Sequence, residues 1–270
     1  MPNVSLSHSV RQNLTALQQT ADMMSVSQSR LASGKKVNSA LDNATNFFTS
    51  QELNGRAGDL QGLLDGISNA TKALEAANNA ITAITKLVES AQATVRSAQS
   101  NPSNAAAMVT QFNSIRDQIT DLADDASFNG VNLLKSTTTM KVAFNELTGA
   151  AKNELSVAGV DLSATGLAIT AATALDDTEA TAKLGLLTTA LGTLRSTAAT
   201  FGANLSIIQA RKDFTKSSIT TLKSGADNLV NADTNEEAAT LLALQTRQQL
   251  SQSALSMANQ QDQAVLRLFS

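Results

Sequence analysis

Residues 234–269 read TNEEAATLLALQTRQQLSQSALSMANQQDQAVLRLF. Apolar residues recur every three or four positions, with neither glycine nor proline, which is the period of an amphipathic helix. Thr234 followed by Glu237 has capping-box spacing and predicts the helix start. One stripe comprises Ala243, Leu250, Ala254, Met257, Ala264 and Leu268, interrupted by Arg247 and Gln261. A second, adjacent stripe comprises Leu241, Leu244, Leu255, Ala258, Val265 and Phe269, interrupted by Gln248, Ser251 and Asp262. A single partner helix cannot cover two half-apolar stripes, so this helix expects more than one neighbour.

Working outward, the N-terminal segment offers one such neighbour. Val10, Leu14, Leu17, Ala21, Met24 and Leu31 step as a heptad seam that skips Gln28 and ends at Ser33-Gly34, where glycine can terminate a helix. Ser39 and Asp42 are candidate caps for a long helix from about Asn43 to Gln99. Leu53, Ala57, Leu60, Leu64, Ile67, Leu74, Ile81, Val88 and Val95 run along it. A parallel stripe of Leu63, Ala70, Ala77, Ile84, Ala91 and Ala98 implies burial on two sides. Pro102 breaks this helix, and Ser103 or Asn104 can cap the next, whose stripe is Met108, Phe112, Ile115, Ile119, Leu122 and Ala126.

Phe128-Asn129-Gly130 signals a turn. MKVAFNEL and ELSVAGV alternate as a short β-hairpin within a small β-rich region at about 137–165. Asp176-Asp177-Thr178 opens the cleanest register, from Leu184 through Phe201 and Ile219 to Leu229, broken at Lys212 and Thr215. That register spans roughly 70 Å at 1.5 Å per residue. The expected fold is mainly α: an elongated rod of long antiparallel, coiled-coil-like helices, with a small hairpin region distally and both termini at one end. Residues 1–40 and 234–270 form one expected layer, and 41–233 the helical rod.

Composition narrows function. Of 270 residues, 42% are hydrophobic, but the only aromatics are eight phenylalanines, which suits helices packed over thin seams better than a voluminous core. A net charge of −3 with scattered basic residues argues against nucleic acid. The lack of cysteine excludes disulfides and thiolate chemistry. No run approaches the roughly 20 apolar residues of a membrane span. The N-terminus lacks the apolar core of a signal peptide, so export would need a non-classical route. His8 is a single histidine, and Asp124-Asp125 and Asp176-Asp177 sit at helix boundaries, where solvation or the helix dipole accounts for them. No catalytic, cofactor or metal residue is assigned, and the chain is not expected to be an enzyme.

Both ends carry a specific match. SRLASGKKVNSALDNATNFFTSQEL, residues 29–53, resembles the N-terminal signature of bacterial flagellins, with its Arg-Leu-x-Ser/Thr-Gly and Asn-Ser-Ala-x-Asp elements. LLDGISNATKALEAANNAI and the SFNGVNLL turn at 127–134 continue it. The stretch beginning VNADTNEEAA resembles the flagellin C-terminus, with Ala-Asp-x-x-x-Glu-x-Ala and Gln-Gln-x-x-x-x-Ala-x-x-x-Ala-Asn-Gln intact. The resemblance covers roughly residues 1–135 and 180–270. It implies a structural subunit of the flagellar filament, exported unfolded, polymerised at the distal tip, and serving motility outside the cell.

The same resemblance implies as partners many copies of the chain itself, the flagellar export apparatus and an export chaperone, the filament cap and the hook-junction proteins. The expected polymerisation surface is Val10, Leu14, Leu17, Met24, Leu31, Leu250, Leu255, Met257, Val265 and Leu268. Only about 45 residues separate the Asn-Gly turn from the return helix, so large outer domains are absent or reduced to the hairpin. Flagellins recognised by the innate immune receptor carry Leu-Gln-x-x-Arg-Glu-Leu. Here residues 87–95 read LVESAQATV, with Ser90 in the arginine's place, and the resemblance does not carry that recognition over. A hook–filament junction protein shares such end motifs and is the alternative. An intracellular coiled-coil scaffold would explain the heptads but not the ends.

Overall fold

The computed structural model describes residues 8–135 and 137–268, without the side chains at 9, 262 and 265–268. Among these residues the helices are α1 (His8–Ser33), α2 (Ala44–Ser100), α3 (Ala105–Asp125), α4 (Asp177–Val230) and α5 (Thr234–Leu268). Between α3 and α4 lie two antiparallel strand pairs, β1 (Ser127–Phe128) with β2 (Val131–Asn132) and β3 (Thr139–Ala143) with β4 (Glu154–Ala158). The mainly α class with one small hairpin region is as the sequence leads one to expect.

The helix starts show which polar residues act. Asn43 caps α2, its Oδ1 accepting from the Asn46 N–H at 3.0 Å. Asp42, an expected cap, turns back instead and accepts from the Asn38 and Ser39 N–H groups at 2.9 Å each. Ser39 is consumed in that turn. Pro102 ends α2 as expected, but α3 is entered through a 3₁₀ turn, Pro102–Asn104, with no side-chain cap from Asn104. Ser103 lies inside that turn, so neither expected cap operates. Asp176 caps α4, accepting from the Glu179 N–H at 2.8 Å.

The chain forms two compact units, Arg56–Thr220 and Met1–Gly55 with Thr221–Ser270. In the first, both α2 stripes are buried: Ile67, Leu74, Ile81, Val88 and Val95 on one side, Ala70, Ala77, Ile84, Ala91 and Ala98 on the other. Phe112 and Ile119 of α3 join this core with Leu187, Leu194, Phe201 and Ile208 of α4. Gln92 meets Thr188, while Thr85 and Leu194 share a groove further along, so α2 and α4 run antiparallel here.

The segment between the hairpins and α4 is part of that core. Leu162, Ala164, Leu167, Ile169, Ala172 and Leu175 are all buried. Its backbone is pinned by side chains from the helices. Asn113 donates to the Ala172 carbonyl at 3.0 Å and accepts from the Ala172 N–H at 2.9 Å. The buried Lys183 ammonium donates to the Thr170 carbonyl at 3.1 Å, the Thr170 hydroxyl at 2.7 Å and the Ala171 carbonyl at 2.7 Å. An irregular chain can thus be buried because its polar groups are answered.

The Asn129-Gly130 turn has φ of 49° and 78°, the left-handed pair of a type I′ hairpin. Behind it, Asn132 Nδ2 donates to the Ala123 and Asp124 carbonyls at 2.8 and 2.9 Å, closing the end of α3.

Candidate assembly interface

The second unit contains α1 and α5, joined through a short chain crossing. The Lys36 N–H donates to the Val230 carbonyl at 2.8 Å, and the Ala232 N–H to that of Gly34 at 2.9 Å. Lys35 and Asn231 form an antiparallel bridge. Gly34, at φ 69°, supplies the left-handed residue that ends α1, as its position after Ser33 leads one to expect. The two helices then run antiparallel: Ser27 meets Glu237, and Met23 shares a groove with Thr240 and Leu244.

Asp233, not Thr234, caps α5; its Oδ1 accepts from the Asn235 N–H at 2.9 Å and the Glu236 N–H at 3.3 Å. The expected Thr234–Glu237 capping box does not form, because Glu237 reaches across to α1. There it accepts from the Ser27 hydroxyl and from the Arg30 guanidinium at 3.1 Å. The Ser27 hydrogen bond is the main reason its carboxyl lies below the usual glutamate range; the neighbouring Arg30 adds to this against a smaller opposing cost of burial.

The face that α1 turns to α5 is rotated from the expected seam. Val10 is buried and Leu17 and Met24 half-buried, but Leu14, Ala21 and Leu31 are exposed. Their places inside are taken by Thr20, 0% exposed, and Ser27, 3% exposed. Both hydroxyls are satisfied, Thr20 by donating to the Ala16 carbonyl at 2.8 Å and Ser27 by Glu237. Hydroxyls with partners can sit in a seam at little cost, whereas an unpartnered one would not. Met23 and Val26 also remain exposed, along the groove between α1 and α5.

On α5 the two stripes part, with Ala254 of the first half-buried near their border. Leu244 is buried and Leu241, Leu255 and Ala258 are half-buried, so the second stripe meets α1. The first stripe faces away: Leu250 is 66% and Met257 59% exposed, with Leu242 also open at 66%. The side chains of Val265 and Leu268 lie outside the described residues. Of the remaining expected interface residues, Val10, Leu17, Met24 and Leu255 belong to the pairing of α1 with α5, and Leu14, Leu31, Leu250 and Met257 are open to a neighbour. Met23, Val26 and Leu242 are also exposed, and sequence reasoning did not single them out because they fall off the strict heptad rows.

Among the described residues no group of His, Asp or Glu is arranged to hold a metal ion, and no helix is long and apolar enough to cross a membrane.

The family model for the bacterial flagellin N-terminal helical region matches residues 4–139, and that for the C-terminal helical region matches residues 184–269. The chain belongs to the bacterial flagellin family. It is 33% identical over 247 residues to flagellin FljM of Caulobacter vibrioides, covering 90% of this chain and 89% of the relative. It is 32% identical over 264 residues to flagellin FljK of the same organism, at 95% and 94% coverage. The crystal structure of Bacillus cereus flagellin matches at TM-score 0.47 and 18% identity, covering 54% of this chain and 86% of that one. This flagellin is therefore a structural subunit of the filament, not an enzyme, and its family builds filaments by self-polymerisation.

Proposed function

We propose that α1 and α5 are the elements through which this flagellin polymerises. Residues 1–40 and 234–270 would form the inner layer of the filament, and 41–233 the layer around it. The observation that carries this reading is an inversion of the usual pattern. The α1–α5 seam buries Thr20 and Ser27, while Leu14, Met23, Val26, Leu242, Leu250 and Met257 stay open to solvent. A monomer with no further partner has no reason to spend polar residues inside and apolar ones outside.

Energetics point the same way. Among the described side chains of the two helices, only Val10 and Leu244 are buried apolar ones. So thin an apolar seam means that the pair gains much of its order by packing against other subunits. Such a chain suits export in unfolded form through the flagellar apparatus with a chaperone, and addition at the tip beneath the cap beyond the hook-junction proteins. That placement makes it an extracellular protein.

The test is assembly of the purified protein, seeded with filament fragments and followed by electron microscopy. Long tubes are the expected product. Protein that stays monomeric or stops at short rings would contradict the filament assignment and favour a junction role.

A further inference from the structure

We infer that the outward face of α5 in one copy docks in the groove that α1 and α5 of the next copy form between them, with Arg247 paired to Asp22. This rests on the reading that α1 and α5 carry polymerisation, and it names which face meets which.

The groove lies between α1 and α5, has a volume of about 410 Å³, and takes its apolar lining from Met23, Val26 and Leu244, with Asp22 and the Arg30–Glu237 pair also in its wall. Its apolar floor needs an apolar ridge. On α5, Ala243, Arg247, Leu250 and Met257 share one exposed face. Arg247 is the only charged residue between Glu237 and Asp262. On α1, Asp22 is likewise the only charged residue between Arg11 and Arg30. Neither Asp22 nor Arg247 makes a hydrogen bond or ion pair with the described residues of its own chain. Asp22 and Arg247 are thus charges without a partner in the middle of their helices, amid exposed apolar side chains and opposite in sign, whereas Arg11 and Glu236 lie toward the helix starts.

The alternatives put like charges together. A symmetric α5–α5 contact would bring Arg247 against Arg247, and a symmetric α1–α1 contact Asp22 against Asp22. Like charges facing each other in an interface are strongly disfavoured. A symmetric contact also closes on itself as a dimer. A contact between two different patches leaves one of each free at every growing end, which is the condition for an open filament.

The test uses full-length protein carrying Asp22→Arg, Arg247→Asp, or both. Each single variant should raise the critical concentration for seeded assembly at least about tenfold. An equimolar mixture of the two single variants should assemble within about twofold of the unsubstituted protein, because alternating copies restore Asp–Arg pairs at every contact. Unsubstituted protein that forms no polymer defeats the filament reading itself. If that protein polymerises but the single variants do so equally well, the docking is overturned alone. Rescue by the double variant without rescue by the mixture would place the pair within one chain and also overturn it. Both residues are exposed, so circular dichroism of each variant monomer should match the parent. As a second readout, peroxide oxidation of Met23 and Met257 should slow in the polymer. If either methionine reacts as fast there as in the monomer, the proposed contact is wrong.

Discussion

At Glu179 a carboxylate accepts N–H bonds from Thr173, Ala174 and Leu175 at 2.9, 2.8 and 3.1 Å, and the Thr173 hydroxyl at 3.0 Å. Burial by itself would raise its pKa. The backbone donors at Ala174, Thr173 and Leu175 outweigh that and hold it at about 2, against an ordinary 4.5. The folded value lies below the unfolded one, so the stabilisation is complete above the ordinary glutamate value and fades as pH falls toward 2. It amounts to on the order of 2–3 kcal/mol. Glu179→Gln should lower the urea midpoint of the Arg56–Thr220 unit at neutral pH and leave little difference near pH 2. An equal loss at both pH values would contradict the charge-based account.

Gly159 makes a second argument of this kind. A Cβ there would collide with the Lys135 carbonyl oxygen and lie 2.7 Å from that of Thr138, and backbone cannot step aside as a side chain can. Gly159→Ala should cost about 1–3 kcal/mol, measured by denaturant unfolding. In the sequence the GV that follows ELSVA reads as the end of the second hairpin strand. Nothing in it announces two carbonyls from a segment twenty residues earlier.

Among the elements, α1 and α5 show how far periodicity reaches. Heptad spacing correctly grouped Val10, Leu17 and Met24, and it correctly separated Leu241 and Leu244 from Leu250 and Met257. It placed Leu14, Ala21 and Leu31 in the seam where Thr20 and Ser27 sit. Two rows a few tens of degrees apart were both plausible, and apolarity chose the wrong one, because the outer row is apolar for another reason. The Ser27–Glu237–Arg30 cluster decides the rotation, and it joins residues more than 200 positions apart. Glu237→Gln should weaken the pairing of α1 with α5, read as faster amide exchange in α1 around Ser27. Exchange unchanged from the parent would show that the cluster does not hold the helices. Because its folded pKa is depressed, its contribution is present above the normal glutamate range and is lost as pH falls through the lowered value.

For the whole molecule, the separation of the two α5 stripes turns into a contrast between two substitutions. Leu250→Asp should leave monomer helicity intact and abolish seeded assembly, because that side chain is mostly exposed on the face of α5 turned away from α1. Leu255→Asp should reduce helicity in the monomer first, since Leu255 is half-buried against α1. Circular dichroism with electron microscopy separates the outcomes, and a Leu250→Asp protein that forms filaments in normal yield would refute the outward-face assignment. Helix content should also rise when the unsubstituted monomer polymerises. Equal content in both forms would mean that the terminal helices are already ordered in the free subunit.

The sequence by itself determined the helical class, the five long periodic segments, the Asn129-Gly130 turn, the β3–β4 hairpin and, through its two end motifs, the family. Each of these rests on contacts within a few residues or on a repeat that one helix displays along its own length. Only the tertiary structure decided that the irregular segment 160–176 sends six apolar side chains into the core, that Asp233 caps α5 in place of Thr234, and which row of α1 faces inward. Those outcomes depend on Asn113, Lys183 and Glu237, polar side chains whose partners are fixed by where distant backbone arrives. A periodic pattern states which residues share a face; only packing states what that face meets.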